Sequence, residues 1–166
     1  GSEMCIRDRM MIVDERIITF INSLDTKNSE ILEDIEREAL ADNVPIIRRE
    51  MQSFLKVLLM VKKPMRVLEV GTAVGFSALL MSEYVPEECA ITTIENYEKR
   101  IPIARQNFVR AGKEKKITLL EGDAMDVLKT LEGPYDFIFM DAAKGQYIHY
   151  PVSYTHLRAH ETLMNL

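Results

Sequence analysis

Four carboxylates recur at the ends of four short apolar runs: Glu69, Glu95, Asp123 and Asp141. One acid at a strand end says little. Four in succession on one rim describe a site, because ligands of an open α/β sheet bind where the strands end. The first of them opens the segment Glu69-Val70-Gly71-Thr72-Ala73-Val74-Gly75-Phe76-Ser77. Gly71 allows a tight turn there, and Gly75 the close approach of a ligand or a helix. A dinucleotide fingerprint needs glycine at 71, 73 and 76. The chain has Ala73 and Phe76, which disfavours a nicotinamide cofactor. An acid within the turn suits a cationic ligand better than a pyrophosphate. A plain strand-to-helix turn remains the alternative.

Glu95 stands 24 residues after Gly71. A carboxylate there can accept hydrogen bonds from both hydroxyls of a ribose, although a solvated loop acid reads the same way. Asp123, within Gly122-Asp123-Ala124, could accept from an adenine amino group while a backbone N–H meets a ring nitrogen. Asp is also a favoured helix N-cap, and one residue can do both. Asp141 emerges from an apolar run, and Lys144 follows three residues later. If the loop turns helically, both side chains face one way. A hard cation such as Mg²⁺, held by Asp141, would lower the pKa of a substrate hydroxyl, and Lys144 could take the proton. A surface Asp–Lys pair is the alternative. The Lys113 to Lys116 cluster is better read as a solvated helix end than as an RNA site.

These residues need a frame. Three helical patterns come first: Val13 to Leu24 with Ile17, Ile18, Phe20, Ile21 and Leu24 on one stripe; Ser29 to Ala41 with Ile31, Leu32, Ile35, Ala39 and Leu40; and a third begun by Pro45, carrying Met51, Phe54, Leu55, Leu58 and Leu59 and ending near Lys62-Lys63-Pro64. Short apolar runs then alternate with helices. Strands are expected at Arg66 to Val70, Ala90 to Ile94, Ile117 to Leu120 and Phe137 to Met140. Helices are expected at Phe76 to Tyr84, Tyr97 to Ala111 and Ala124 to Leu131. Such alternation means a parallel sheet covered on both faces, with strands one and four adjacent.

Composition agrees with one globular domain: 166 residues, 47% hydrophobic, 28% charged. No stretch approaches the roughly 20 apolar residues of a membrane helix, so no membrane partner is expected. The net charge of −5 argues against a broad nucleic-acid surface, so any RNA contact must be local. No signal-peptide pattern opens the chain. Cys5 and Cys89 lack metal or redox spacing, which fits a reducing cytoplasm.

Both ends read differently from the middle. Gly1 to Arg9 and the segment from Val152 lack periodicity, and both resemble translations of a sequencing-library transposase adapter. The expectation is therefore a non-native segment at 1–9, a single native domain at 10–150 cut short at its carboxyl end, and a non-native tail at 151–166. His156 and His160 are discounted as metal ligands for that reason, and His149 stands alone.

The stretches Arg66 to Ser77, Glu95, Gly122-Asp123-Ala124 and Tyr135 to Tyr147 together resemble the cation-dependent O-methyltransferases of the catechol and caffeoyl-coenzyme A type. Within that group the chain looks most like the bacterial branch containing the tRNA 5-hydroxyuridine methyltransferase. The resemblance covers roughly Val13 to Tyr150. It implies a Rossmann-like methyltransferase sheet with a helical N-terminal extension, of which only the first four parallel strands are present. It implies S-adenosylmethionine and Mg²⁺ or another divalent cation as cofactors. Glu69, Gly71 and Ser77 would hold the methionine end, Glu95 the ribose, Asp123 and Ala124 the adenine. Asp141 would serve the metal and lie near the cofactor, Lys144 would be catalytic, and Pro45 to Met51 would help close the site. The acceptor would be a hydroxyl of tRNA hydroxyuridine or of a small phenol, and the full-length protein a homodimer. The family completes its metal site with an Asp-Asn pair after strand five, which this sequence lacks, so the chain itself is expected to be inactive. A non-catalytic cofactor-binding module is the remaining alternative.

Overall fold

Runs rich in Val, Ile, Leu and Phe form the strands, and amphipathic segments between them the helices. The computed structural model describes Arg16, Thr19, Phe20, Ser23, residues 26–141 and the backbone of residues 161–164. In chain order the elements are α1 (Glu30–Ala41), α2 (Arg49–Lys62), β1 (Arg66–Val70), α3 (Phe76–Tyr84), β2 (Ala90–Glu95), α4 (Ile101–Arg110), β3 (Ile117–Glu121), α5 (Ala124–Thr130), β4 (Phe137–Met140) and β5 (Glu161–Met164). The sheet runs β3-β2-β1-β4-β5. Every pairing is parallel, with Val67 opposite Ile91 on one side and Phe137 on the other.

The four expected strands are present, and β1 and β4 are neighbours as expected. The reading of only four strands needs one correction. Glu161–Met164 lies in the segment read as a tail and pairs in parallel with β4. An uncovered strand edge presents a row of free N–H and C=O groups, which an extended segment can satisfy. Four residues are too few for a period to be read from the sequence.

Alternation along the strands divides the core in two. Val67, Phe137 and Phe139 face α1, α2, α3 and α4, together with Leu32, Ile35, Leu55, Leu59 and Leu80. Leu68, Val70, Ile94, Ile138 and Met140 face Leu128 of α5. Each such side chain, fully buried, contributes about 1.5–3 kcal/mol by leaving water.

Three helical expectations change. The third helix begins at Arg49, not Pro45, because Gln52 Nε2 donates to the Ile47 carbonyl at 3.0 Å and Arg48 is extended. Its buried stripe is Gln52, Leu55, Lys56 and Leu59, which leaves Phe54 exposed. Leu40, expected on the buried stripe of α1, is also exposed; Glu36 is buried instead, accepting from Gln52 and Arg49. The helix expected from Tyr97 begins at Ile101, after a turn closed by Arg100 N–H to the Tyr97 carbonyl. Of the first expected helix, Arg16, Thr19, Phe20 and Ser23 are helical, Phe20 is exposed, and the rest lies outside the described residues. No helix among the described residues is long and apolar enough to cross a membrane.

Candidate functional site

At the carboxyl ends of the strands a cavity of about 590 Å³ opens. This lies within the range of small-molecule sites. Its floor is the β1–α3 turn, Gly71 to Val74 with Phe76 and Ser77. One wall is Ile94 to Tyr97 with Arg100. Gly122 and Ala124 lie at one side, Asp141 at another, and Pro45, Ile46 and Ile47 before α2 close over it.

The turn is held by its own chain. The N–H groups of Gly71 and Thr72 both donate to the Ile94 carbonyl, and that of Gly75 to the Thr72 carbonyl. Ala73 N–H donates to Glu95 Oε2 at 2.7 Å. Ala73 has φ +49°, a left-handed backbone uncommon for a residue with a Cβ, and the Glu95 bond stabilises it. Gly75, at φ +86°, caps α3; a Cβ there would meet Phe108 Cε1 at 2.6 Å. Gly75 therefore serves the approach of α4.

Glu95 is buried. Besides Ala73 it accepts from Asn96 N–H at 3.0 Å and Tyr97 N–H at 2.9 Å through Oε1. An ionised carboxylate has about four acceptor sites. Three are occupied, so Glu95 keeps capacity for a ligand donor on the cavity wall.

Glu69 sits lower. It shares the face of Val67, so alternation turns its side chain under α3, where Ser77 Oγ and Thr93 Oγ1 donate to its two oxygens. Thr93 Oγ1 also lies 2.5 Å from Thr72 Oγ1. Burial pushes the Glu69 carboxyl up to about 7 against the pull of the two hydroxyls, and the negative Asp141 and Glu95 push the same way. It reaches the cavity through Ser77, which lines it.

Asp123 caps α5, accepting from Met125 N–H at 2.8 Å, and its side chain is exposed at the rim. Asp141 is half-buried on the cavity wall, its N–H donating to the Val70 carbonyl at 2.9 Å. Of the predicted site residues, Gly71, Ser77, Glu95, Ala124 and Asp141 line one cavity. Glu69 lies beneath it and Asp123 beside it. Lys144, His149, His156 and His160 lie outside the described residues. Among the described residues no group of three or more His, Cys, Asp or Glu converges as a metal site. Asp141 alone is too few ligands for a divalent ion. Sequence reasoning missed Thr93, Tyr97 and Arg100. The two-residue alternation of β2, which places Thr93 level with Glu69, was the available signal for the first.

A family model described as O-methyltransferase matches residues 22–166. A catechol O-methyltransferase of Niastella koreensis is 34% identical over 101 residues, 58% of this chain and 46% of that protein. Caffeoyl-CoA O-methyltransferase 2 of Populus trichocarpa is 36% identical over 107 residues, 58% of this chain and 42% of that protein. The chain thus spans under half the length of these curated relatives. Among solved structures, the Bacillus cereus O-methyltransferase in complex with SAH superposes with a TM-score of 0.76 at 25% identity, covering 86% of this chain and 68% of that one.

Proposed function

The chain belongs to the O-methyltransferase family, and on that premise we propose that its cavity binds S-adenosylmethionine as part of an enzyme that methylates a hydroxyl group. The observation that carries this reading is how the turn spends its polar groups. The N–H groups at 71, 72, 73 and 75 are bonded within the chain, so these four are not free to cradle a phosphate. Two carboxylates, Glu95 and Asp141, line the cavity against one guanidinium, Arg100. That balance suits a cationic, hydroxyl-bearing ligand better than a pyrophosphate.

Bound there, S-adenosylmethionine supplies an electrophilic methyl group on a sulfonium. Glu95 would accept from the ribose hydroxyls, and Ala124 and Gly122 would border the adenine with Asp123 at the rim. Gly71 and Ser77 would meet the methionine end, with Glu69 orienting Ser77 from below. Asp141 would lie beside the reacting centre. Most of the acceleration would come from alignment, which is worth about 7–11 kcal/mol in well-oriented systems.

Lys144 is the proposed proton acceptor, and Mg²⁺ the proposed ion at Asp141 with ligands beyond the described residues. The acceptor is proposed as a tRNA 5-hydroxyuridine or a small phenol, the full-length enzyme as a cytoplasmic homodimer, and residues 10–150 as the methyltransferase domain. The 166-residue chain is proposed to bind cofactor without turning it over. Calorimetric titration with S-adenosylmethionine and with NAD tests the core of this. Binding of the first alone is expected; binding of NAD alone would reverse the assignment.

A further inference from the structure

Helix α4 bears on the site turn through two successive residues. Phe108 occupies the space under Gly75. Asn107, 3% exposed, donates from Nδ2 to the Val74 carbonyl at 2.9 Å. The other end of that amide is fixed too. Asn107 Oδ1 accepts from Arg110 Nη1 at 3.0 Å, and Arg110 is gripped through both terminal nitrogens by Glu38 of α1, at 2.7 and 2.9 Å. A guanidinium only donates, so it can meet only the oxygen of the amide, which turns the NH₂ toward Val74.

Val74 lines the cavity, and its neighbour Ala73 is the left-handed residue whose N–H reaches Glu95. The turn is therefore held from opposite sides: Glu95 takes the N–H of residue 73, and Asn107 supplies a donor to the carbonyl of residue 74. We infer that Asn107 is a positioning residue for the cofactor turn, with Arg110 and Glu38 setting the direction of its amide. The identity of what binds rests on the reading above; the hydrogen-bond relay does not.

The test uses the full 166-residue chain and two readouts. One is the amide resonance of Ala73 in ligand-free, alanine-labelled protein. The other is the affinity for S-adenosylhomocysteine by calorimetry. Asn107→Leu removes both bonds at similar volume, and Asn107→Asp keeps the Arg110 bond but turns an oxygen toward Val74. Arg110→Met changes only the exposed outer end, so it keeps the question open should the Asn107 variants fail to fold. Leu128→Ala, in the core of the opposite sheet face, controls for lost stability.

Both Asn107 variants are expected to shift the Ala73 resonance and weaken binding about tenfold, and Arg110→Met about threefold, as loss of one buried hydrogen bond implies. Leu128→Ala is expected to lower the unfolding midpoint and leave both readouts in place. An unmoved Ala73 resonance in Arg110→Met and in every Asn107 variant that folds overturns the inference. So does an equal loss of binding in Leu128→Ala. If the unaltered chain fails to bind S-adenosylhomocysteine while the Ala73 resonance still moves in the variants, the positioning role stands and the cofactor reading falls.

Discussion

At the amino ends of β1 and β4, Asp136 accepts the N–H groups of Met65 and Arg66 at 2.8 and 2.9 Å. At the carboxyl ends, Glu95 accepts those of Ala73, Asn96 and Tyr97 at 2.7, 3.0 and 2.9 Å. The same group solves the same problem at both rims, since strand ends leave backbone donors that need a partner. The surroundings differ. Beside Asp136 the neighbours engage one another: the Arg66 guanidinium lies 4.6 Å from the Tyr135 ring centre and donates to the Glu132 carbonyl. Beside Glu95 lie a cavity and two further acids, Glu69 beneath and Asp141 across. An acid at a strand end is thus a staple by default. It becomes part of a site where unspent acceptor capacity meets open space.

The comparison can be broken most severely at Glu69. Its carboxyl is raised from 4.5 to about 7, so between those values the folded chain holds a proton that the unfolded chain has lost. The contribution is fully present below pH 4.5 and is lost as pH rises through 7, a change of about 3 kcal/mol. Urea unfolding across this range is expected to show that slope in the parent chain and not in Glu69→Gln. Parallel slopes would mean that Glu69 is not held neutral. Next in size, Glu95→Ala should weaken S-adenosylmethionine binding about 100-fold, since it removes a charged acceptor from ligand and turn together. Calorimetry reads this directly, and unchanged affinity would remove Glu95 from the site. Smallest is Asp136→Ala, which should cost about 2 kcal/mol of stability by thermal unfolding and leave cofactor affinity alone. If it weakened binding as much as Glu95→Ala, the two rims would not differ in kind.

Much of this was legible in the sequence. The bounds of β1, α3 and β4 match their expected limits because apolar runs there stop at residues of different character. Gly71, Ser77, Glu95, Ala124 and Asp141 reach one cavity because the parallel topology puts every strand end on the same rim. The start of α2 was misjudged because Pro45 is a good first helical residue, yet the segment is held extended by a side chain from the next turn. Phe54 was placed on the apolar stripe and Gln52 was not. Hydrophobic spacing cannot register that Gln52 finds Asn28 and Glu36, residues 24 and 16 positions away. Glu69 was expected to touch the ligand; counting residues along β1 from Val67 would have turned it under α3 instead.

The contact between Gly75 and Phe108 ties together positions 33 residues apart. Each limits what the other can become. An alanine at 75 would have to displace the ring as well as accept a left-handed backbone, so the two positions are expected to drift as a pair or not at all. Divergence of the helix that carries Phe108 is therefore restrained by the glycine turn, even though that helix also meets solvent. In a library that varies both positions, the survivors would map how far the scaffold tolerates change before its binding turn does.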